Sequence, residues 1–384
     1  MAEDDDAELV RLATSPLADA DAVIPLGPSH PSAHGALGLS LWVRDQRIVR
    51  ARAHIGYLHR GAEKLFESRD YRAVLALANR HDWLGSMAGE LGVAVTVEAM
   101  LGMEVPARAR WARVALAELS RAYSHLVFWG SFPLALGRAA PAGFLARERL
   151  QALMEEATGG RVHLMVTQVG GLKADLPDGW TDRARSAVAD VRDALPAVAA
   201  ATTADPDVAA AARGTAVVSA AQALAFAASG AVARASGVGP DWRLASGDPT
   251  YAELADAGVL RVPRRDTGDA LARLEVLAEQ TTVALDLAEA ALDRLDTLAG
   301  PINVRLPKSL RAPEGHCYTA TESPLGRYGV LLVSRGGPHP WRLKLATPSF
   351  AHLQLAEALL PGLRVDQVAP ALASLFFVVG DADR

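Results

Sequence analysis

Between Ala62 and about Ala157 the chain carries apolar residues three and four apart, in AEKLFESRDYRAVLALA, in SMAGELGVAVTVEAML and in ARWARVALAELSRAYSHLVFWG. That period lines the apolar side chains along one stripe of a helix, so this segment must form successive helices that share a buried face. Pro133 lacks an amide hydrogen and crowds the preceding turn, and it is expected to end or kink the last of them. Helical patterning returns over Thr181 to Ala201 and over Asp269 to Asp296. Period-two alternation is confined to short pieces. Leu37, Leu39, Leu41 and Val43 run into a turn at Asp45-Gln46, and a second extended run starts at Ile48-Val49. Near the other end, GVLLVS and WRLKLA flank a turn at Gly336 to Pro338, and two apolar helices follow. With no repeat and no low-complexity linker, the reading is one α+β body, mainly helical, with small β elements near both ends.

Cys317 is the only cysteine among 384 residues. The chain therefore forms no internal disulfide and holds no Cys-ligated iron–sulfur or Ni–Fe centre by itself; if electrons pass nearby, another chain carries the metal. A net charge of −5 argues against a nucleic-acid partner, which would call for a basic field. The start, MAEDDDAELV, lacks the basic and apolar regions of a secretory signal, and a cytoplasmic location is expected. The longest uncharged run, Gly214 to Ala233, is rich in Ala and broken by Ser219, Gln222, Ser229 and Gly230. It reads as a helix buried in protein rather than a membrane span, leaving only peripheral membrane contact. No glycine-rich dinucleotide fingerprint follows a strand and no phosphate loop occurs, so binding of NADH or ATP by this chain is unsupported.

Five segments carry residues able to do chemistry. The first, Gly27-Pro-Ser-His30-Pro-Ser-Ala-His34-Gly35, reads as a rigid loop because of Pro31; its histidines suit proton donation better than metal binding. The second is His54-Ile-Gly-Tyr-Leu-His59-Arg60, where Arg60 stands just ahead of a helix and presents positive charge. The third is Arg80-His81-Asp82-Trp83, and the fourth Arg161-Val-His163 with Gln168-Val-Gly170-Gly171. The fifth gathers Glu314-Gly-His316, Glu322-Ser-Pro324 and the ending Gly380-Asp381-Ala-Asp383-Arg384. Taken singly, each fits packing or loop structure as well as catalysis.

In their order these segments resemble the D-type subunit family of proton-pumping NADH-quinone oxidoreductase (respiratory complex I), which shares its fold with the large subunit of Ni–Fe hydrogenases. The resemblance rests on GPSHPSAHG, HIGYLHRGAEKL, NRHDW, GMEVPARA, RVHLMVTQVGGL, GAVARASGV, LPKSLRAPEGH, TESPLGRYGVLLVSRG, LKLATPSFAHLQ and FFVVGDADR. It covers residues 27–384, leaving 1–26 as an N-terminal extension, and implies a hydrogenase large-subunit-like helical body. It further implies docking on the B-type iron–sulfur subunit, contact with the C-type and other peripheral-arm subunits and with the H-type subunit of the membrane arm, and a peripheral place on the cytoplasmic side of the cytoplasmic membrane. The quinone is the substrate, its headgroup cavity lying between this chain and the iron–sulfur subunit. The cluster belongs to that partner, this chain binds no metal, and NADH and FMN are bound elsewhere in the complex.

By position, the resemblance makes His34 the headgroup histidine and His30 its loop neighbour, and places Arg60 and His163 beside the partner's cluster. It also puts Val93 where a tyrosine is expected to face the quinone, and Ala135 where an acidic residue is expected to pair with the headgroup histidine. Neither side chain donates a proton. Gln168 stands where an arginine is expected. These departures resemble a divergent second copy of the D-type subunit. The expected function is quinone reduction coupled to proton translocation. The alternative is a scaffold or modified subunit of a reduced assembly with a donor other than NADH and impaired quinone chemistry.

Overall fold

The computed structural model describes residues 20–29, 35–139 and 141–384. Strand β1 (Ala22–Leu26) pairs antiparallel with β2 (Gly38–Arg44), which pairs with β3 (Arg47–His54). The β2–β3 turn is the expected one: Asp45 and Gln46 sit at φ 50° and 61°, the left-handed pair that matches hairpin twist. Short helices α1 (Ala62–Phe66) and α2 (Ala73–Ala78) lead to α3 (Ser86–Leu101), α4 (Ala107–Ser131), α5 (Pro141–Thr158) and α6 (Trp180–Ala200). Between α5 and α6 lie the two-residue strands β4 (Thr167–Gln168) and β5 (Gly171–Leu172). Helix α4 ends as Pro133 requires: a 3-10 turn, Phe132–Leu136, takes over and Gly137 closes it at φ 69°.

Helices α7 (Pro206–Ala212), α8 (Ala220–Ala225), α9 (Gly230–Arg234), α10 (Trp242–Ala245) and α11 (Pro249–Asp256) are short, and α12 (Ala270–Thr297) is the longest in the described chain. Asp269 caps α12, its carboxylate accepting from the Ala272 amide at 2.8 Å. The buried helix expected over Gly214 to Ala233 is corrected to two pieces, α8 and α9, separated by Ala227 at φ 54°. Ser219 and Gln222 form a capping box that starts α8 at Ala220, and Leu224 is left 66% exposed. Propensity favoured one helix there, whereas capping and the backbone pairing of Val218 with Gly268 hold the chain in two.

Helices α4, α5, α6 and α12 form a four-helix bundle around Leu116, Leu119, Leu150, Val188, Leu285 and Leu292, all essentially without exposure. Strand β6 (Gly315–Glu322) pairs with β7 (Arg327–Ser334), which pairs with β8 (Arg342–Ala346), and this sheet packs on α3. The N-terminal sheet packs on α13 (Pro348–Leu359) through Leu39, Leu41, Leu355 and Leu359. Helix α14 (Val368–Ala373) and the terminal α15 (Val379–Asp383) complete the chain. The mainly helical α+β expectation is thus met. No described helix is long and apolar enough to cross a membrane.

The last residues staple the first loops. Asp383 accepts from the amides of Gly56 (2.7 Å) and Leu58 (2.9 Å), and its own carbonyl accepts from His59 Nδ1 at 2.7 Å. Arg384 reaches Glu63 on α1 at 3.2 Å. The segment ahead of Arg60 is therefore positioned by residues more than 300 places away in sequence.

Candidate functional site

The α2–α3 loop (residues 79–85), the 3-10 turn after α4, the loop before β4, α14 and the start of α15 enclose a cavity of about 780 Å³. Its polar wall holds Arg80, His81 and His163; its apolar rim includes Leu58, Trp83 and Leu134, which are 45%, 41% and 56% exposed. A few convergent donors set in apolar walls is the composition of a small-molecule site. Ala135 lines the cavity from the 3-10 turn, and Gly35 lines it next to Val379. His30 and His34 lie outside the described residues.

Arg60, Arg80 and His163 form a cationic corner. His163 Nδ1 is 3.3 Å from the Asn79 carbonyl, to which it must donate. Burial, helped by the charges of Arg80 and Arg60, holds the His163 imidazole below its ordinary value, so the ring is neutral at pH 7. Arg60 itself is exposed. Beneath this corner, Glu90 accepts from the amides of Val166 (3.2 Å) and Thr167 (3.0 Å). Burial lifts its carboxyl to about 7 against the pull of those bonds and of Lys173.

Beside His81 lies a buried acidic group. Asp82 Oδ1 accepts from Leu84 (3.0 Å) and Gly85 (2.8 Å); a Cβ at position 85 would stand 2.3 Å from Asp82 Oδ2, so glycine there makes room for the carboxyl. Tyr328 OH is 3.2 Å from His81 Nε2, and Asp381 Oδ1 is 3.4 Å from the same nitrogen. Among the described residues, no three His, Cys, Asp or Glu side chains gather as a metal-ion site.

Residues 139–310 and 305–384 match the family described as respiratory-chain NADH dehydrogenase, 49 kDa subunit. The chain belongs to that family. It is 53% identical, over 95% of both chains, to the D 1 subunit of NADH-quinone oxidoreductase from Streptomyces coelicolor. It is 52% identical to the D 2 subunit from Salinispora tropica, over 95% of this chain and 93% of the other. It is 34% identical to the D subunit from Geobacillus thermodenitrificans, over 94% of this chain and 98% of the other.

Of the site residues expected for a member of this 49 kDa family, Ala135 and His163 share the cavity wall and Arg60 acts on His163 from beside it. Val93 is not among the residues that line this cavity. It is fully buried where α3 packs on the C-terminal sheet, in the cluster of Val97, Tyr328 and Val330. The packing is so close that a Cβ on the adjacent Gly92 would stand 2.6 Å from the Tyr328 ring. The residues that line the cavity from this region are Arg80, His81, Trp83 and Leu84, in the loop before α3. Their signal was local: an imidazole, a carboxylate and an indole side by side in His81-Asp82-Trp83. Asp381 stood out only within the fifth segment and Tyr328 only within TESPLGRYGVLLVSRG, and only the packing of α15 and β7 against the loop brings them to His81.

Proposed function

We propose that the chain forms one wall of the quinone site in a complex I-type NADH-quinone oxidoreductase. The B-type iron–sulfur subunit supplies the other wall and the terminal cluster, and the C-type and H-type subunits are further neighbours. The single observation that carries this reading is the 780 Å³ cavity, apolar at its rim and lined by Arg80, His163 and Ala135. Reducing a quinone to a quinol takes two electrons and two protons. The single cysteine leaves the electrons to partner chains, where NADH and FMN also belong, so this chain's share is shape, hydrogen bonds and protons. His34, with His30 beside it, serves as the headgroup donor. Arg60, Arg80 and the neutral His163 face the cluster, where positive charge favours its reduced state. The chain sits peripherally at the cytoplasmic face of the membrane, and quinone reduction is coupled there to proton translocation.

Ala135 favours a second reading, a modified subunit fed by a donor other than NADH, because its methyl group occupies the cavity wall where a carboxylate would hold His34 in one tautomer. Purification of the tagged chain from membranes in mild detergent, with mass-spectrometric identification of its partners, tests both. Recovery with the iron–sulfur subunit, membrane subunits and a flavin-containing NADH module is expected on the first reading; recovery without that module selects the second. Ala135→Asp is expected to speed quinone reduction. A soluble chain without partners overturns both readings.

A further inference from the structure

We propose that His81, backed by Asp381 and Tyr328, is a second proton donor to the quinone, standing in the cavity where Ala135 offers none. This rests on the quinone reading above. His81 is the buried imidazole of the described cavity wall, 3% exposed, and its two nitrogens have different surroundings. Nε2 faces Tyr328 OH at 3.2 Å and Asp381 Oδ1 at 3.4 Å; Nδ1 is buried with no hydrogen-bond partner. Asp82 Oδ2 is likewise buried without a hydrogen-bond partner, and Asp381 Oδ1 has only its contact with His81. Native proteins seldom leave such atoms together, and an incoming ligand atom or a moving proton satisfies them. The ring is held in place: it stacks on Tyr328 with centroids 5.7 Å apart, and Gly380 packs so near the His81 carbonyl that a Cβ there would stand 2.7 Å from it.

The surroundings also store protons. Burial and the charge of Asp381 raise the Asp82 carboxyl well above its ordinary range, which favours its protonated form. Tyr328 faces the ring from β7, Asp381 from α15, and Arg80 and His163 share the cavity wall. Arg384 and Glu63 act on Tyr328 from further away. In the step assigned, the two electrons for the quinone would come, one at a time, from the partner's iron–sulfur centre, and this chain supplies protons. The Nδ1–H bond of His81 breaks as an O–H bond forms at one carbonyl oxygen. His34 protonates the other carbonyl, and the product is the quinol. Nδ1 is then reprotonated from solvent that enters the cavity when the quinol leaves, while Nε2–H stays against Tyr328 and Asp381. Because His81 touches the substrate in this assignment, it is catalytic; Asp381 and Tyr328 are positioning residues.

The test uses the assembled complex, its iron–sulfur centres reduced stoichiometrically by photoreduced deazaflavin and then mixed with menadione or decylubiquinone. Cluster oxidation is followed by freeze-quench EPR across pH, and quinone binding is measured separately. His81→Asn is expected to slow cluster oxidation about 100-fold with binding changed less than about twofold. Asp381→Asn, which replaces the carboxylate oxygen facing Nε2, is expected to slow cluster oxidation several-fold and to change the shape of its pH profile. Tyr328→Phe keeps the ring's packing and covers the case in which the other two fail to assemble; it is expected to slow the rate several-fold. Wild-type rates and pH profiles in all assembled variants overturn the His81 assignment alone. A wild-type complex that binds neither quinone overturns the quinone reading, and the His81 assignment falls with it.

Discussion

The described chain buries two clusters of charge, and they are built in opposite ways. Against the bundle, Glu118, Asp241 and Glu322 face Arg121, Arg243 and Arg234, three carboxylates to three guanidiniums. Glu118 lies 3.0 Å from both Arg121 and Arg243, Asp241 lies 2.8 Å from Arg243, and Glu322 lies 2.7 Å from Arg234. Tyr251 donates to Glu118 at 2.7 Å and the Trp242 amide to Glu322 at 3.0 Å. Burial opposes ionisation there, yet the arginine charges hold the Glu118 and Asp241 carboxyls below their ordinary range. Beside the cavity, Asp82 and Asp381 have one imidazole and a phenol between them, and His81 Nδ1 and Asp82 Oδ2 go unpartnered. Matched charges hold elements together, whereas mismatched ones keep a proton available to move. A buried charge cluster is informative about function only once its pairing is known.

The largest effect is expected from breaking the paired cluster. Arg243→Met removes the cation shared by Glu118 and Asp241 and leaves two buried carboxylates short of a partner. A loss of about 3–5 kcal/mol is expected, read as a fall in the melting temperature of the complex or failure to assemble. Retention of wild-type melting would mean that the cluster is not the structural tie assigned to it.

Glu90 lies between the two cases, with one oxygen fully paired and Oε1 unpartnered. Its folded value of about 7 exceeds the ordinary 4.5, so the folded chain binds that proton more tightly than the unfolded chain does. Stability therefore falls as pH rises from about 4.5 to 7 and stays reduced above. Glu90→Gln is expected to raise stability by up to about 3 kcal/mol at pH 8 and to change it little at pH 4, seen in melting curves at the two values. The opposite order would show that Glu90 is charged and paired.

Val93→Tyr probes the contrast between core and cavity. A phenol forced between α3 and β7 is expected to cost about 1–3 kcal/mol through overpacking and to leave quinone affinity unchanged. A gain in quinone reduction would put this position back in the site. The smallest effect belongs to the surface pair Arg364–Asp366, at 2.8 Å but more than half exposed on each side, where Arg364→Ala is expected to leave the melting temperature unmoved.

The bundle helices were legible because their period is local. Trp180–Ala200 and Ala270–Thr297 fall within a residue or so of the patterned stretches, and Pro133 marks the end of α4. Strand β6 was not legible: GHCYTATE has polar residues on both faces until Ala320, and pairing with β7 is what extends it. For the site, Ala135 and His163 meet at one cavity, but Val93 does not reach it. A position read two turns into α3 depends on which face of that helix turns toward β7, and α3 buries residues all round.

Period, turn chemistry and residue identity were enough to set the helical body, the hairpin turn at Asp45-Gln46, the lack of a thiol-ligated metal and the family. Each of these operates between neighbours or not at all. It took tertiary packing to make His81, Asp82, Tyr328 and Asp381 one buried group beside a cavity. Their hydrogen bonds and mutual desolvation join residues up to 300 positions apart, and burial, which sets the proton affinity of each, exists only after β7 and α15 have packed against the loop.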